Sequence, residues 1–153
     1  PNFSQIPELS VDYLVTQEAR EVAGNMLARA RNSIEIDQLV DALHICFGEA
    51  ADTKSISAIN FHRMRTLAGE LGVFQINFDV DSGLIDFAMD ASLEVKELLV
   101  DNLDDVYKSD LSVTSTGLRV LALAKVAPEV SVAQSVNALR RILDALPSFV
   151  KFL

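Results

Sequence analysis

Three groups of side chains in this chain have residue types that could do chemistry. His44 and Cys46 offer a base and a thiol two residues apart. On a helix that spacing sends them to different faces, so the imidazole cannot take the thiol proton. Cys46 is therefore expected to be a buried structural thiol, and His44 a core or boundary residue. Asp79, Asp81 and Asp86 around Gly83 supply the oxygen ligands of a calcium loop. An EF-hand loop starting at Asp79, however, needs glycine at its sixth place and glutamate at its twelfth, where Leu84 and Asp90 stand. His62, Arg63 and Arg65 form a tight basic cluster that could meet phosphate, with His62 expected to be solvated beside Arg63. Two histidines and one cysteine give no zinc spacing. No phosphate-binding glycine loop, nucleophile elbow or metalloprotease signature occurs. No catalytic residue, metal or cofactor follows from these residues, which leaves a small enzyme without a recognisable motif as the weakest of three functional readings.

Charge is more informative. The chain of 153 residues carries a net charge of −9. Residues 77 to 110 hold ten acids against Lys96 and Lys108, a net of −8, while residues 111 to 153 sum to +3. The chain is electrically polarised, and its acidic middle could attract a basic surface in another molecule or in a second copy. The partner-binding face expected on this ground comprises Asp79, Asp81 and Asp86 on a hairpin and Glu94, Glu97, Asp101 and Asp104 on the helix after it.

The elements that must hold these groups read mainly as helices. Val15, Ala19, Val22, Ala23, Met26, Leu27 and Ala30 recur at three- and four-residue steps, which predicts a helix from about Thr16 to Arg31. Ile34 and Ile36 could form a brief strand. Asp37 then caps a helix to Phe47 that is apolar almost all round, the composition of a helix enclosed by others. After a polar loop, Ser55 or Ser57 caps a third helix that stops at Gly72, with Ile56, Ile59, Met64, Leu67, Ala68 and Leu71 on its inner face.

Alternation of apolar and polar residues from Gln75 to Met89, on both sides of Asp81-Ser-Gly83, predicts a β-hairpin. A two-residue loop at Ser82-Gly83 would set Val80 opposite Ile85, Phe78 opposite Phe87 and Ile76 opposite Met89, giving one wholly apolar face. That register also opposes Asp79 and Asp86, a like-charge pair needing an offset such as Arg65 or a cation.

Ser92 caps the acidic helix. Residues 111 to 153 read as a helical hairpin, with a short apolar helix from Gly117 to Ala127 that stops before Pro128. Ser131 then caps a last helix. Its Val132, Val136, Leu139, Leu143 and Leu146 form a seam for the core or for a dimer.

Half the residues are apolar, and the length suits a single domain with a real core. Residues 1 to 10, with two prolines, read as an extended arm. No apolar run reaches the roughly 18 residues of a membrane span. The first residues lack the basic start and apolar core of a secretion signal. One cysteine fits a reducing compartment, so a cytoplasmic location is expected.

Fold class is accordingly mainly α with one β-hairpin (α+β). The order helix Asp37 to Phe47, loop, helix Ser57 to Leu71, two-stranded wing resembles a winged helix-turn-helix over residues 34–90. The resemblance implies a DNA-binding regulator acting as a dimer through the last helix, with His62, Arg63 and Arg65 at the duplex. The loop from Gly48 to Lys54 is longer than the usual turn, and an acidic wing repels phosphate. The favoured reading is a non-catalytic protein-binding, regulatory or assembly module presenting acids to a basic protein surface, with homo-oligomers possible and neither nucleic acid nor membrane as partner.

Overall fold

The computed structural model describes residues 8–78, 84–101, 111–120 and 128–150. The class is α+β: five helices and a four-stranded antiparallel sheet lie among these residues.

Helix α1 spans Gln17–Arg29, where the Thr16 side chain accepts the Ala19 N–H at 3.2 Å and so satisfies one orphaned donor. Helix α2 spans Ser33–Phe47. It starts before Asp37 because Asn32 caps it, accepting the Glu35 N–H at 2.9 Å, so Ile34 and Ile36 are helical and form no strand. Helix α3 spans Thr53–Glu70 and also starts early: Asp52, not Ser55 or Ser57, accepts the Ser55 N–H at 2.8 Å. Gly72, at φ 88°, makes the left-handed stop after it.

Strands β1 (Val73–Phe78) and β2 (Ile85–Met89) form the expected hairpin, displaced in register. Phe78 pairs with Ile85, Ile76 with Phe87 and Asn77 with Asp86, with a bulge between Val73 and Gln75. The displacement is two residues, so each strand keeps its faces. Ile76, Ile85, Phe87 and Met89 are buried as expected, while Val80 lies outside the described residues.

After helix α4 (Leu93–Asp101), where Ser92 caps by accepting the Val95 N–H, come strands β3 (Leu111–Val113) and β4 (Gly117–Val120). They replace the start of the expected 111–153 helical hairpin; residues 121 to 127 lie outside the described residues. Sheet order is β1-β2-β4-β3, with Asp86 opposite Arg119 and Phe87 opposite Leu118. Arg119 donates to Asp86 through Nε at 2.6 Å and Nη2 at 3.2 Å, a two-pronged bond that balances the carboxylate across the strands. Gly117 faces Ala88 there, and any Cβ would overlap the Phe87 carbonyl oxygen, so only glycine allows β2 and β4 to approach.

Helix α5 spans Pro128–Val150. Pro128 opens it instead of merely ending what precedes, since the first turn needs no proline N–H. Val132, Val136 and Leu139 are buried with Met64 and Leu67 of α3 and with the sheet face, and Leu143 is half-buried against that core. Leu146 lies outside the described side chains. The spacing of four and three thus serves the core.

Helix α3 is central. Phe61, Met64, Leu67 and Ala68 belong to the core shared with the sheet and α5, whereas Ala58 and Ile59 belong to a second core with Leu27, Ile36, Val40 and Leu43 of α1 and α2. Among the described residues no helix is long and apolar enough to cross a membrane.

Candidate functional site

The basic cluster does not project from the molecule. His62 is 3 % exposed, and burial, then the Arg65 charge, lowers its pKa to about 4, so it is neutral at pH 7. The expectation of a solvated His62 fails because α3 is covered on the side that its apolar stripe left open. Arg65 turns its Nη2 to the carbonyls of Leu27 at 3.0 Å and Ala30 at 3.3 Å, capping the end of α1. Arg63 lies 3.4 Å from Asp37, and Arg140 reaches the same carboxylate at 3.5 Å. Asp37, expected as a cap, instead ties α2 to α3 and α5. Arg63 and Arg65 thus hold helices together, and His62 is buried.

Of the expected acidic face, Glu97 and Asp101 are exposed on α4, and Asp86 is half-buried in its pair with Arg119. Asp79, Asp81 and Asp104 lie outside the described residues, as does the Glu94 side chain. Lys96, on the same helix, is buried and donates to the carbonyl of Thr114 at 2.6 Å, fastening α4 to the turn between β3 and β4.

Cys46 is exposed, which overturns its expected burial. The reason is the placement of α2. Its Ile36, Val40 and Leu43 are buried in the core with Leu39 packed against them, while Ile45 is 86 % and Phe47 52 % exposed. His44 is half-buried, and nothing joins it to Cys46 as a dyad. Among the described residues no group of three His, Cys, Asp or Glu could hold a metal ion.

Residues 11–15 also carry exposed apolar side chains and touch the C-terminal end of α2 through Tyr13. Tyr13 donates its hydroxyl to the Gly48 carbonyl at 2.8 Å, and its ring meets that of Phe47 edge-on with centroids 6.5 Å apart. This contact sets Val11 (57 % exposed) and Val15 (78 %) beside the C-terminal end of α2. Exposed acids accompany them: Asp12, Glu18, Asp41 and Glu49. Neither 11–18 nor 41–49 contains lysine or arginine. Burial, then the Asp52 charge, raises the Tyr13 pKa, so its phenol stays protonated and donating. Such a surface suits apolar contact ringed by negative charge. Sequence reasoning missed it because alternation and helical spacing assigned Val15, Val22 and Met26 inward and enclosed α2.

A cavity of about 490 Å³ is lined by Glu8 and Leu9, by Gly24 and Leu27 of α1 and by Ala58 and His62 of α3, among others.

The arrangement defines an α+β domain with helices on one face of an antiparallel sheet. Among solved structures, it is similar to the C-terminal domain of a transcription-repair coupling factor, with a TM-score of 0.62 and 10 % identity over 94 % of this chain and 92 % of that one. At that identity the likeness is one of fold. No family model matches the sequence, and no curated protein matches it.

Proposed function

We propose that this chain is a non-catalytic protein-binding module whose partner offers apolar side chains flanked by basic ones. The observation that carries the reading is the exposed surface of Val11, Val15, Ile45 and Phe47 beside Asp12, Glu18, Asp41 and Glu49. Apolar side chains supply the burial that drives association, and the acids select a basic rim. The net charge of −9 and the acids on α4 act at longer range, raising the encounter rate with a positive surface. The acidic residues Glu97 and Asp101, with Asp79, Asp81, Asp86, Glu94 and Asp104 of the same segment, belong to this steering role. Nothing in the placement of His62, Arg63 and Arg65 supports binding to a duplex.

A pair of synthetic helical peptides tests this reading. Both carry the same leucine stripe, one flanked by lysine and the other by glutamate, and both are titrated calorimetrically. The lysine peptide should bind, and Ile45→Ser with Phe47→Ser should weaken it at least about tenfold, as loss of central apolar anchors does. Raising the salt should weaken it further. Equal affinity for the two peptides, or affinity indifferent to both substitutions, refutes the proposal.

A further inference from the structure

We infer that the cavity between α1 and α3 is a binding site for a small organic ammonium whose opposite end carries a hydroxyl group. The site is lined by residues other than those of the docking surface and stands or falls separately from it. Its floor is apolar except for one group. Leu9, Leu27 and Ala58 are buried there, and the remaining floor residue is His62, whose Nδ1 has no hydrogen-bond partner among the described residues. A buried polar atom left unpaired typically costs about 1–3 kcal/mol, and a ligand hydroxyl would supply the missing partner. In the neutral imidazole Nδ1 carries either a hydrogen or a free lone pair, and a hydroxyl, which both donates and accepts, can pair with it in either form.

The rim has the opposite character. Glu8 and Glu21 are both exposed at the mouth. Arg20 also lines the cavity, but its Nη1 is committed to the carbonyls of Leu14 at 2.7 Å and Val15 at 3.0 Å. Gln17 donates to Glu21 at 3.0 Å, which holds that carboxylate in place. Two acids against one committed arginine favour a cation at the mouth. The volume, about 490 Å³, accommodates a molecule with a ring or short chain between its two polar ends.

Gly24 supplies an independent pointer. It sits inside α1 with no positive φ, and a Cβ built on it meets nothing within 4 Å. Glycine in a helix interior costs about 1 kcal/mol relative to alanine, and here neither backbone conformation nor close packing requires it. The missing side chain enlarges the cavity that Gly24 and His62 both line, as expected where a ligand approaches the helix backbone.

Tyramine, with an ammonium and a phenolic hydroxyl at opposite ends of a ring, is the probe. Binding is followed by the shifts of backbone amide resonances in α1 and α3. Tyramine should bind about tenfold more tightly than phenethylamine, which lacks the hydroxyl, and than p-cresol, which lacks the ammonium; 4-hydroxyphenylacetate should not bind. Gly24→Leu should remove tyramine binding without lowering the melting temperature, and Gly24→Ala should weaken it while raising that temperature. Glu21→Gln should weaken tyramine several-fold and leave p-cresol unchanged. The inference is overturned if tyramine causes no shifts, if the hydroxyphenylacetate anion binds equally well, or if Gly24→Leu binds tyramine as the unaltered chain does.

Discussion

Helices α2 and α3 lie side by side and contradict their own compositions. Helix α2 is rich in apolar residues on every side, yet it is a surface helix with Ile34, Ile45, Cys46 and Phe47 exposed. Helix α3 carries serine, histidine, threonine and two arginines, yet it lies between both cores. Several of its polar groups are tied down, though not the His62 Nδ1. Ser55 accepts the Ser10 N–H at 3.0 Å, and the Thr66 hydroxyl donates back to the carbonyls of His62 and Arg63 at 3.0 Å each. Arg65 caps α1. A helix's apolar content records how much surface it can bury, while topology determines how much it does bury within one chain. Surplus apolar surface on α2 is therefore the feature that points beyond the molecule.

The sharpest way to break this comparison is to truncate one buried side chain on α3 and one exposed side chain on α2. Met64 is fully buried between the sheet and α5. Met64→Ala should cost about 2–5 kcal/mol, the transfer term plus the cavity left behind. Urea denaturation reads it as a lower midpoint at unchanged slope. A loss near zero would mean that α3 is not the central helix.

A smaller effect follows from the histidine that α3 buries. The His62 pKa is about 4 when folded and about 6.5 in a free chain. A depressed histidine pKa means that the unfolded chain takes up a proton first, so stability is full above pH 6.5 and falls as pH drops towards 4. Between pH 6.5 and 5 the loss should be about 1.5 kcal/mol. Arg65, whose charge contributes to the lowered value, and Glu8, Arg20 and Glu21, which line the same cavity, are the charged groups around it. Glu35, held below its ordinary range by the Arg31 N–H and then by the Arg31 guanidinium, acts in the same direction but only below that interval. Denaturation midpoints measured across these pH values should slope for the unaltered chain and flatten for His62→Gln. An unchanged slope in that variant would place the titrating group elsewhere.

The faces of the elements were largely legible in the sequence, whereas their pairings were not. Alternation has a period of two, so it identified Ile76, Ile85, Phe87 and Met89 as an inward face even though the register is displaced by two residues. Strands β3 and β4 have three and four residues, too short for alternation to emerge from a Ser/Thr-rich stretch and an apolar run. A signal was present nonetheless. Arg119 interrupts that apolar run, and Asp86 needed a cation; joining the two would have placed β4 beside β2. Cap residues misled in a regular way, since each of α2, α3 and α5 begins earlier than its strongest serine or aspartate suggested. At the candidate site, Glu97 and Asp101 were correctly read as exposed, but the uncovered apolar surface was invisible because helical spacing assigns a residue to a stripe without saying whether anything lies against it.

The smallest expected effect gives the most discriminating test of the α2 surface. Ile45 has almost its whole side chain in solvent, so replacing it with serine removes little burial and leaves no cavity. Ile45→Ser should therefore shift stability by no more than about 0.5 kcal/mol, while Phe47→Ser should cost about 1 kcal/mol through its edge contact with Tyr13. Light scattering across concentration should show both variants less prone to associate than the unaltered chain, since each removes exposed apolar area. If Ile45→Ser instead lost 2 kcal/mol or more, independent of concentration, the outer face of α2 would have to be covered within the same chain. A docking surface there would then be excluded. A concentration-dependent loss would show that a second copy supplies the cover, making the module its own partner.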